Sequence, residues 1–319
     1  MKILVIGGAG FIGKPMCDRL RDSGHDVIVG DLDVITENLQ CLHLDIMNAN
    51  ETKTVINKVK PELIINLASR TDDNGESVFD YQTNFLGLIN LIDAILSESP
   101  SSNLFHFSTQ YVVKPEKSLD FFLPYFPYTT YGESKAMGEI VLRNSKFSNW
   151  TIFRPTAVWG ENHKGFEDGL WKLMKKNLFF QSRQESRRSY IYVGTLVEQI
   201  YRFLKIDFNQ IKGKTFYLGN QPADTRILMN AFSRELNGRK VLEVPKKMIT
   251  ILGKLGDAMQ IIGIPFPLNK VRAEILSESY DIHLKPTVEL IGETPEDLNT
   301  AVNSTIKNFL EKKSTFDQR

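Results

Sequence analysis

A phenol and an ammonium stand four residues apart in Tyr131-Gly132-Glu133-Ser134-Lys135, a spacing that puts both on one face of a helix. A phenol, with an ordinary pKa of about 10, works as a general base near neutral pH only if positive charge lowers that value, and a neighbouring lysine supplies such a charge. The spacing alone is common, and two further features give it meaning. Phe107-Ser108-Thr109 puts hydroxyls at the end of an apolar run that reads as a strand, and ligands bind at the carboxyl edge of such strands in doubly wound folds. Far upstream, Gly7-Gly8-Ala9-Gly10-Phe11-Ile12-Gly13 follows the first apolar run and opens a helical pattern. Its first glycine permits a tight turn, the middle one lets backbone approach a pyrophosphate, and the third lets helix and strand pack closely. Backbone N–H groups at the start of that helix would bind the anion.

Asp31 ends the second strand-like run, 18 residues past Gly13. A carboxylate there accepts hydrogen bonds from the adenosine ribose hydroxyls and repels a 2′-phosphate, which favours NAD over NADP. Asp33 is close by, and no arginine follows Asp31 directly. Asp45, after the third run, is a candidate for the adenine amino group, with a turn aspartate as its equal alternative.

Six short apolar runs, 2–6, 26–29, 41–43, 63–66, 104–107 and 151–153, read as strands and alternate with longer helical patterns. They are continuous rather than alternating, as in a parallel sheet covered on both faces, so the fold class is α/β: a Rossmann doubly wound sheet. Apolar spacing predicts one helix over 77–96 and another over 129–144. After Pro155 the pattern predicts a strand at 216–218 and helices near 226–236, 246–262, 270–279 and 295–312, read as a small, mostly helical lid. The expected division is a dinucleotide-binding domain over 1–160, with 189–220 returning to it, and a substrate-binding region over most of 161–319. The Met, Ile and Leu residues of 248–262 suit a lipid-facing surface or, as the ordinary reading of a helix carrying Lys254 and Asp257, a core-facing one.

Composition narrows the function class. The 319 residues carry 39 Lys plus Arg against 38 Asp plus Glu, a net charge of +1, so no basic field points to nucleic acid. With 42% hydrophobic residues the chain can bury a sizeable core. Two cysteines, Cys17 and Cys41, make neither a disulfide framework nor a zinc site. The first apolar run meets glycines rather than a cleavage site, and the uncharged stretch 258–269 holds 12 residues and two prolines, against about 18 needed to span a bilayer. A cytoplasmic location, without membrane insertion or a bound metal, is expected.

Taken together, GGAGFIG at 7–13, LDI at 44–46, INLAS at 65–69, Asn84, FST at 107–109, YGESK at 131–135 and FRPTAVWG at 153–160 resemble the extended short-chain dehydrogenases/reductases of the NAD-dependent nucleotide-sugar epimerase/dehydratase family. The resemblance covers nearly the whole chain. It implies a cofactor site from Gly7, Gly10, Phe11, Ile12, Gly13, Asp31, Asp45, Ile46, Leu67, Ala68, Asn84, Ser108, Tyr131, Lys135 and Pro155. It also implies that Tyr131 removes a sugar hydroxyl proton while hydride passes to NAD, that Lys135 binds the nicotinamide ribose and lowers the tyrosine pKa, and that Thr109 hydrogen-bonds the same sugar oxygen. Thr109, Gln110 and Arg188 are the implied substrate contacts, Arg188 by matching a diphosphate-binding arginine. The implied partner is a nucleoside-diphosphate sugar, and helices 77–96 and 129–144 resemble the pair that forms a homodimer in this family.

Departures from the family pattern carry information. In 4,6-dehydratases the threonine is followed by Asp and Glu, whereas Gln110 and Tyr111 stand here and supply no acid/base pair for water elimination. Ala157 replaces a phosphate-contacting Asn, and Thr195 replaces an acidic residue. Arg70-Thr71-Asp72-Asp73 and His163 are further loop candidates, with surface roles as their alternative. The expected activity is an NAD-dependent nucleotide-sugar epimerase, with an NAD(P)H-dependent keto-sugar reductase as the first alternative and a non-catalytic dinucleotide-sensing protein as the second.

Overall fold

The computed structural model describes residues 1–33, 40–72, 74–114, 125–261, 263–264, 268 and 270–316. Asp73 and part of the 258–269 stretch fall outside them. The chain divides into two compact units: 1–158 with 191–219 and 283–295, and 159–190 with 220–282 and 296–319.

The first unit is built on seven strands, β1 (Lys2–Ile6), β2 (Asp26–Asp31), β3 (Cys41–His43), β4 (Leu63–Asn66), β5 (Asn103–Phe107), β6 (Trp150–Pro155) and β7 (Thr215–Leu218). All pair in parallel, in the order β7-β6-β5-β4-β1-β2-β3. The apolar runs are continuous because both faces are buried. Ile3 and Val5 pack with Met16, Leu20, Leu196 and Phe203 on one face, while Leu4 and Ile6 pack with Ile56, Leu88, Leu91 and Ile95 on the other. The strand order reverses between β1 and β4, and in doubly wound sheets the crevice outside such a reversal is where ligands bind.

The helix expected over 77–96 is in fact two. A 3-10 segment, Val78–Asn84, ends in a kink at Phe85 (φ −129°, ψ −43°), and an α-helix, Leu86–Glu98, follows. Side-chain commitments explain the break. Ser77 and Asp80 form a reciprocal capping box, the Tyr81 hydroxyl donates to the Asp72 carbonyl at 2.8 Å and accepts from Gly75 N–H, and Asn84 is clamped to the loop after β4. Those bonds hold the segment toward the loop, away from the α-helical path. The second expected helix forms as Thr130–Asn144, with Thr129 as its N-cap accepting from Gly132 N–H at 2.9 Å.

The second unit holds helices Thr225–Asn237, Lys246–Ile261, Lys270–Ser277 and Leu298–Phe316. Its aromatic core joins Trp159, Phe166, Trp171, Phe232 and Phe309, with Trp159 and Phe232 edge to face at 5.1 Å. Helix Lys246–Ile261 faces the core with Ile249, Leu252 and the buried Gly253 and Gly256, while Met248, Ile251 and Leu255 on its other side are exposed. No helix among the described residues is long and apolar enough to cross a membrane.

Candidate active site

The glycine turn lies at the strand-order reversal, between β1 and the start of its following helix, Gly13–Asp22. Gly7 adopts φ +77°, and a Cβ on it would sit 2.9 Å from the Ala68 nitrogen, beyond the end of β4. Gly13 is tighter still: a Cβ there would lie 2.2 Å from the Gly7 carbonyl. These contacts explain why no side chain is accommodated at either position. The helix start has no side-chain cap and no acidic residue in its first turn, which leaves the positive end of the helix dipole suited to an anion. Phe11 and Ile12 flank this turn, both partly buried.

Asp31 closes the other side of the turn, its Oδ2 accepting from the Ala9 N–H at 2.9 Å. That bond fixes the carboxylate against the turn at the end of β2, where it can also meet a ribose. Asp45 caps its own turn by accepting from Met47 N–H at 2.8 Å, and Ile46 is buried in the core with its carbonyl accepting from Asn90. Leu67 N–H donates to the Ile6 carbonyl.

Asn84 is buried and fully engaged. Its Oδ1 accepts from Ser69 Oγ at 2.8 Å and from Arg70 N–H at 2.9 Å, while its Nδ2 donates to the Arg70 carbonyl and to Ser134 Oγ. The side chain thus ties the loop after β4 to helix Thr130–Asn144. Arg70 pairs with Asp72 at 2.7 Å and lies over the Tyr81 ring, in an exposed setting.

Tyr131 stands on the first turn of that helix, with its hydroxyl beside the side chains of Ser69 and Thr109. The rings of Tyr81 and Tyr111 lie 6.1 and 6.5 Å from its own. Burial pushes the hydroxyl well above the usual phenol range, and the Ser69 and Thr109 side chains oppose that shift. Lys135 is buried one turn further on, its Nζ donating to the Phe107 carbonyl at 2.8 Å. Burial pulls its pKa down to about 7, and Glu139 works against that by holding the ammonium charged. Desolvation, rather than the lysine charge expected from spacing, sets the direction of the Tyr131 shift.

Glu139 was not singled out by sequence. It is completely buried, accepts from Ser108 Oγ at 2.6 Å, and forms a two-pronged pair with Arg154, Nε to Oε1 and Nη2 to Oε2 at 2.8 Å each. Arg154 holds its pKa down to about 2 against the opposing effect of burial. The signal available was position: Glu139 lies one turn beyond Lys135, on the same helix face. Pro155, the residue after Arg154, is buried at the end of β6.

His106 on β5 is likewise buried, with Nδ1 3.3 Å from Asn66 Nδ2 and Nε2 without a partner among the described residues. Burial, helped by the Lys135 charge, pulls its pKa down to about 3. The native imidazole is thus neutral at a pH where the unfolded one takes up a proton, so stability falls as pH drops through 6.5 and continues to fall toward 3. His106→Gln is expected to reduce the slope of unfolding free energy between pH 6.5 and 4.5 by up to about 1.4 kcal/mol per pH unit. Denaturant melts across that window measure it, and an unchanged slope refutes it.

Gln110 is buried next to Thr109, in the short 3-10 turn Gln110–Val112. Arg188 belongs to the second unit, where it is buried, donates from Nε to the Glu278 carbonyl at 2.9 Å and lies over the Tyr280 ring. His163 is partly buried and caps its own turn by accepting from Phe166 N–H. Cys17 and Cys41 are free thiols, and burial raises Cys17 to about 12, which leaves it unreactive. Among the described residues no three His, Cys, Asp or Glu side chains come together to hold a metal.

Residues 3–219 match the model of the NAD-dependent epimerase/dehydratase family. Among curated proteins, the chain is 25% identical over 207 residues to the spore coat polysaccharide biosynthesis protein SpsK of Bacillus subtilis, covering 63% of this chain and 69% of that one. It is 32% identical over 165 residues to a GDP-6-deoxy-D-talose 4-dehydrogenase of Aggregatibacter actinomycetemcomitans, covering 50% and 54%. Among solved structures, a UDP-glucuronic acid 4-epimerase from Bacillus cereus in complex with NAD has the same fold, with a TM-score of 0.74 over 98% of this chain and 99% of that one at 18% identity.

Proposed function

Because the chain belongs to the NAD-dependent epimerase/dehydratase family, we propose that it is a nucleotide-sugar epimerase that works through a transient keto-sugar. The observation that carries this reading is the placing of Tyr131 one helical turn from the buried Lys135 on helix Thr130–Asn144, with the Thr109 side chain beside the phenol. The glycine turn, with its uncapped helix start and the Asp31 carboxylate beside it, fits a dinucleotide pyrophosphate and its adenosine ribose. Asp31 favours NAD over NADP because a carboxylate repels a 2′-phosphate. When bound, the oxidised dinucleotide accepts a hydride from the sugar carbon and returns it.

The residues then divide the work. Thr109 holds the reacting sugar oxygen, and Tyr131 takes the hydroxyl proton. Its hydroxyl, held protonated by burial, becomes a base only when positive charge is brought against it, so proton transfer is tied to an occupied site. Lys135, whose charged form Glu139 favours against burial, would contribute part of that charge and hydrogen-bond the nicotinamide ribose. Gln110 and Tyr111 offer no acid/base pair for eliminating water, which argues against a dehydratase. Arg188, buried in the second unit, is the proposed diphosphate contact. Helices Leu86–Glu98 and Thr130–Asn144 keep Leu86, Ile89, Leu96 and Ile140 on the surface, and this supports a homodimer through them.

A keto-sugar reductase is the second reading, favoured by the similarity to a sugar-nucleotide 4-dehydrogenase. Cofactor balance separates the two. Native mass spectrometry of the purified protein, followed by denaturation and identification of any released dinucleotide, is expected to find NAD retained in equimolar amount. UDP-, GDP- and dTDP-sugars are then expected to be interconverted without net NAD reduction. An empty site that oxidises one NADH or NADPH for each keto-sugar consumed would replace the epimerase by the reductase.

A further inference from the structure

Helix Lys246–Ile261 presents apolar side chains that stay exposed among the described residues. Met248, Ile251, Leu255 and Ile261 are 45%, 65%, 49% and 86% exposed, and Ile264 just beyond the helix end is 44% exposed. The opposite side of the helix already satisfies the fold: Ile249 and Leu252 pack with Val244, Leu268 and Ala273, and Gly253 and Gly256 are buried. The outer residues are therefore not needed to hold the helix in place. Met248, Ile251 and Leu255 follow three- and four-residue spacing, Ile261 lies six residues further on, and the four extend for about 20 Å along the helix.

Charge on this face is of one sign. Lys247 and Lys254, seven residues apart and exposed, run along one edge of the stripe. Lys246 is engaged by Glu278 at 2.7 Å. The one acid of the helix, Asp257, is turned to the neighbouring helix, where its Oδ1 accepts from Lys270 N–H at 3.2 Å. We infer that this helix docks the protein peripherally on an anionic lipid surface, with the stripe entering the headgroup boundary and the two lysines reaching phosphates.

The same charge pattern argues against a second copy as the occupant. A two-fold interface brings a patch against itself, and this helix, with Asp257 turned to its neighbour, offers no acid of its own to pair with Lys247 and Lys254 of a second copy. An anionic bilayer answers both features at once: side chains such as Ile251 and Leu255 leave water, and flexible lysine stems keep their charge among headgroups. The inference is independent of the reaction proposed above.

The test is co-sedimentation of the full chain with vesicles of phosphatidylcholine alone and of phosphatidylcholine mixed with phosphatidylglycerol. Binding to the mixed vesicles is expected, weakened by salt. Ile251→Glu with Leu255→Glu is expected to reduce partitioning by roughly tenfold or more, by placing charge in the membrane-facing stripe. Lys247→Gln with Lys254→Gln is expected to remove the preference for phosphatidylglycerol while leaving the stripe intact. All four side chains are exposed, so unchanged melting temperatures confirm that the variants fold. Failure of the wild type to bind the mixed vesicles overturns the inference, as does binding that survives Ile251→Glu with Leu255→Glu. A wild-type dimer that the same variant splits, measured by light scattering, assigns the stripe to a second copy and overturns it equally.

Discussion

Tyr131→Phe is expected to lower turnover by about a hundredfold or more, the scale of general acid–base catalysis, on whichever nucleoside-diphosphate sugar the wild type converts. Dinucleotide binding is expected to survive, because the substitution removes only the hydroxyl beside Ser69 and Thr109 and leaves the glycine turn and Asp31 unchanged. The ring stays packed near Tyr81 and Tyr111, so the fold should be little affected. Turnover measured beside NAD titration checks both halves. Unaltered turnover would remove Tyr131 as the base, and a non-catalytic dinucleotide-sensing protein would predict no turnover to lose.

Glu139→Gln is expected to be the most costly substitution for stability, at about 3–5 kcal/mol, since it breaks a buried pair and leaves the other charge without compensation. Arg154 is mostly buried and both its prongs meet Glu139. The amide can accept one of those bonds, but it carries no charge and presents N–H groups to the guanidinium. Denaturant unfolding of the variant measures the loss. A change below about 1 kcal/mol would show that Arg154 finds another partner or water. The Glu139 carboxylate has a pKa depressed to about 2 from an ordinary 4.5; its stabilisation is complete above 4.5 and is lost as pH falls toward 2. The variant should lack that part of acid unfolding. Because Glu139 also favours the charged form of Lys135 against burial, it acts on the site through the lysine, as a positioning residue. In Glu139→Gln, any effect on turnover should therefore shift the pH profile as well as the maximum.

What was legible and what was not follows the reach of each interaction. The parallel sheet showed itself in the continuous apolar runs, because a strand covered on both faces has no polar side to alternate with. Tyr131 and Lys135 were legible because four residues make one helical turn, and the glycine turn because steric demands at Gly7 and Gly13 admit no side chain. Each of these leaves its mark within a few residues of chain, even where the partner that imposes it, as Ala68 does on Gly7, is distant. The kink at Phe85 was hidden because apolar spacing continues across it, whereas its cause is bonding of Tyr81 and Asn84 to a loop about ten residues earlier. The return of 283–295 to the first unit likewise left no local mark.

Sequence alone thus determined the elements, the turn and the residue types capable of proton transfer, since these rest on local sterics and periodicity. Only the tertiary structure decided their electrostatics. The joining of Glu139 to Arg154 across helix and strand, the neutral His106 and the near-neutral pKa of Lys135 all depend on how much water is excluded and which charges remain close once the layers pack. The same holds for helix Lys246–Ile261: a helix with apolar residues on two sides does not declare which side the rest of the chain will cover, because burial is a property of what packs against it.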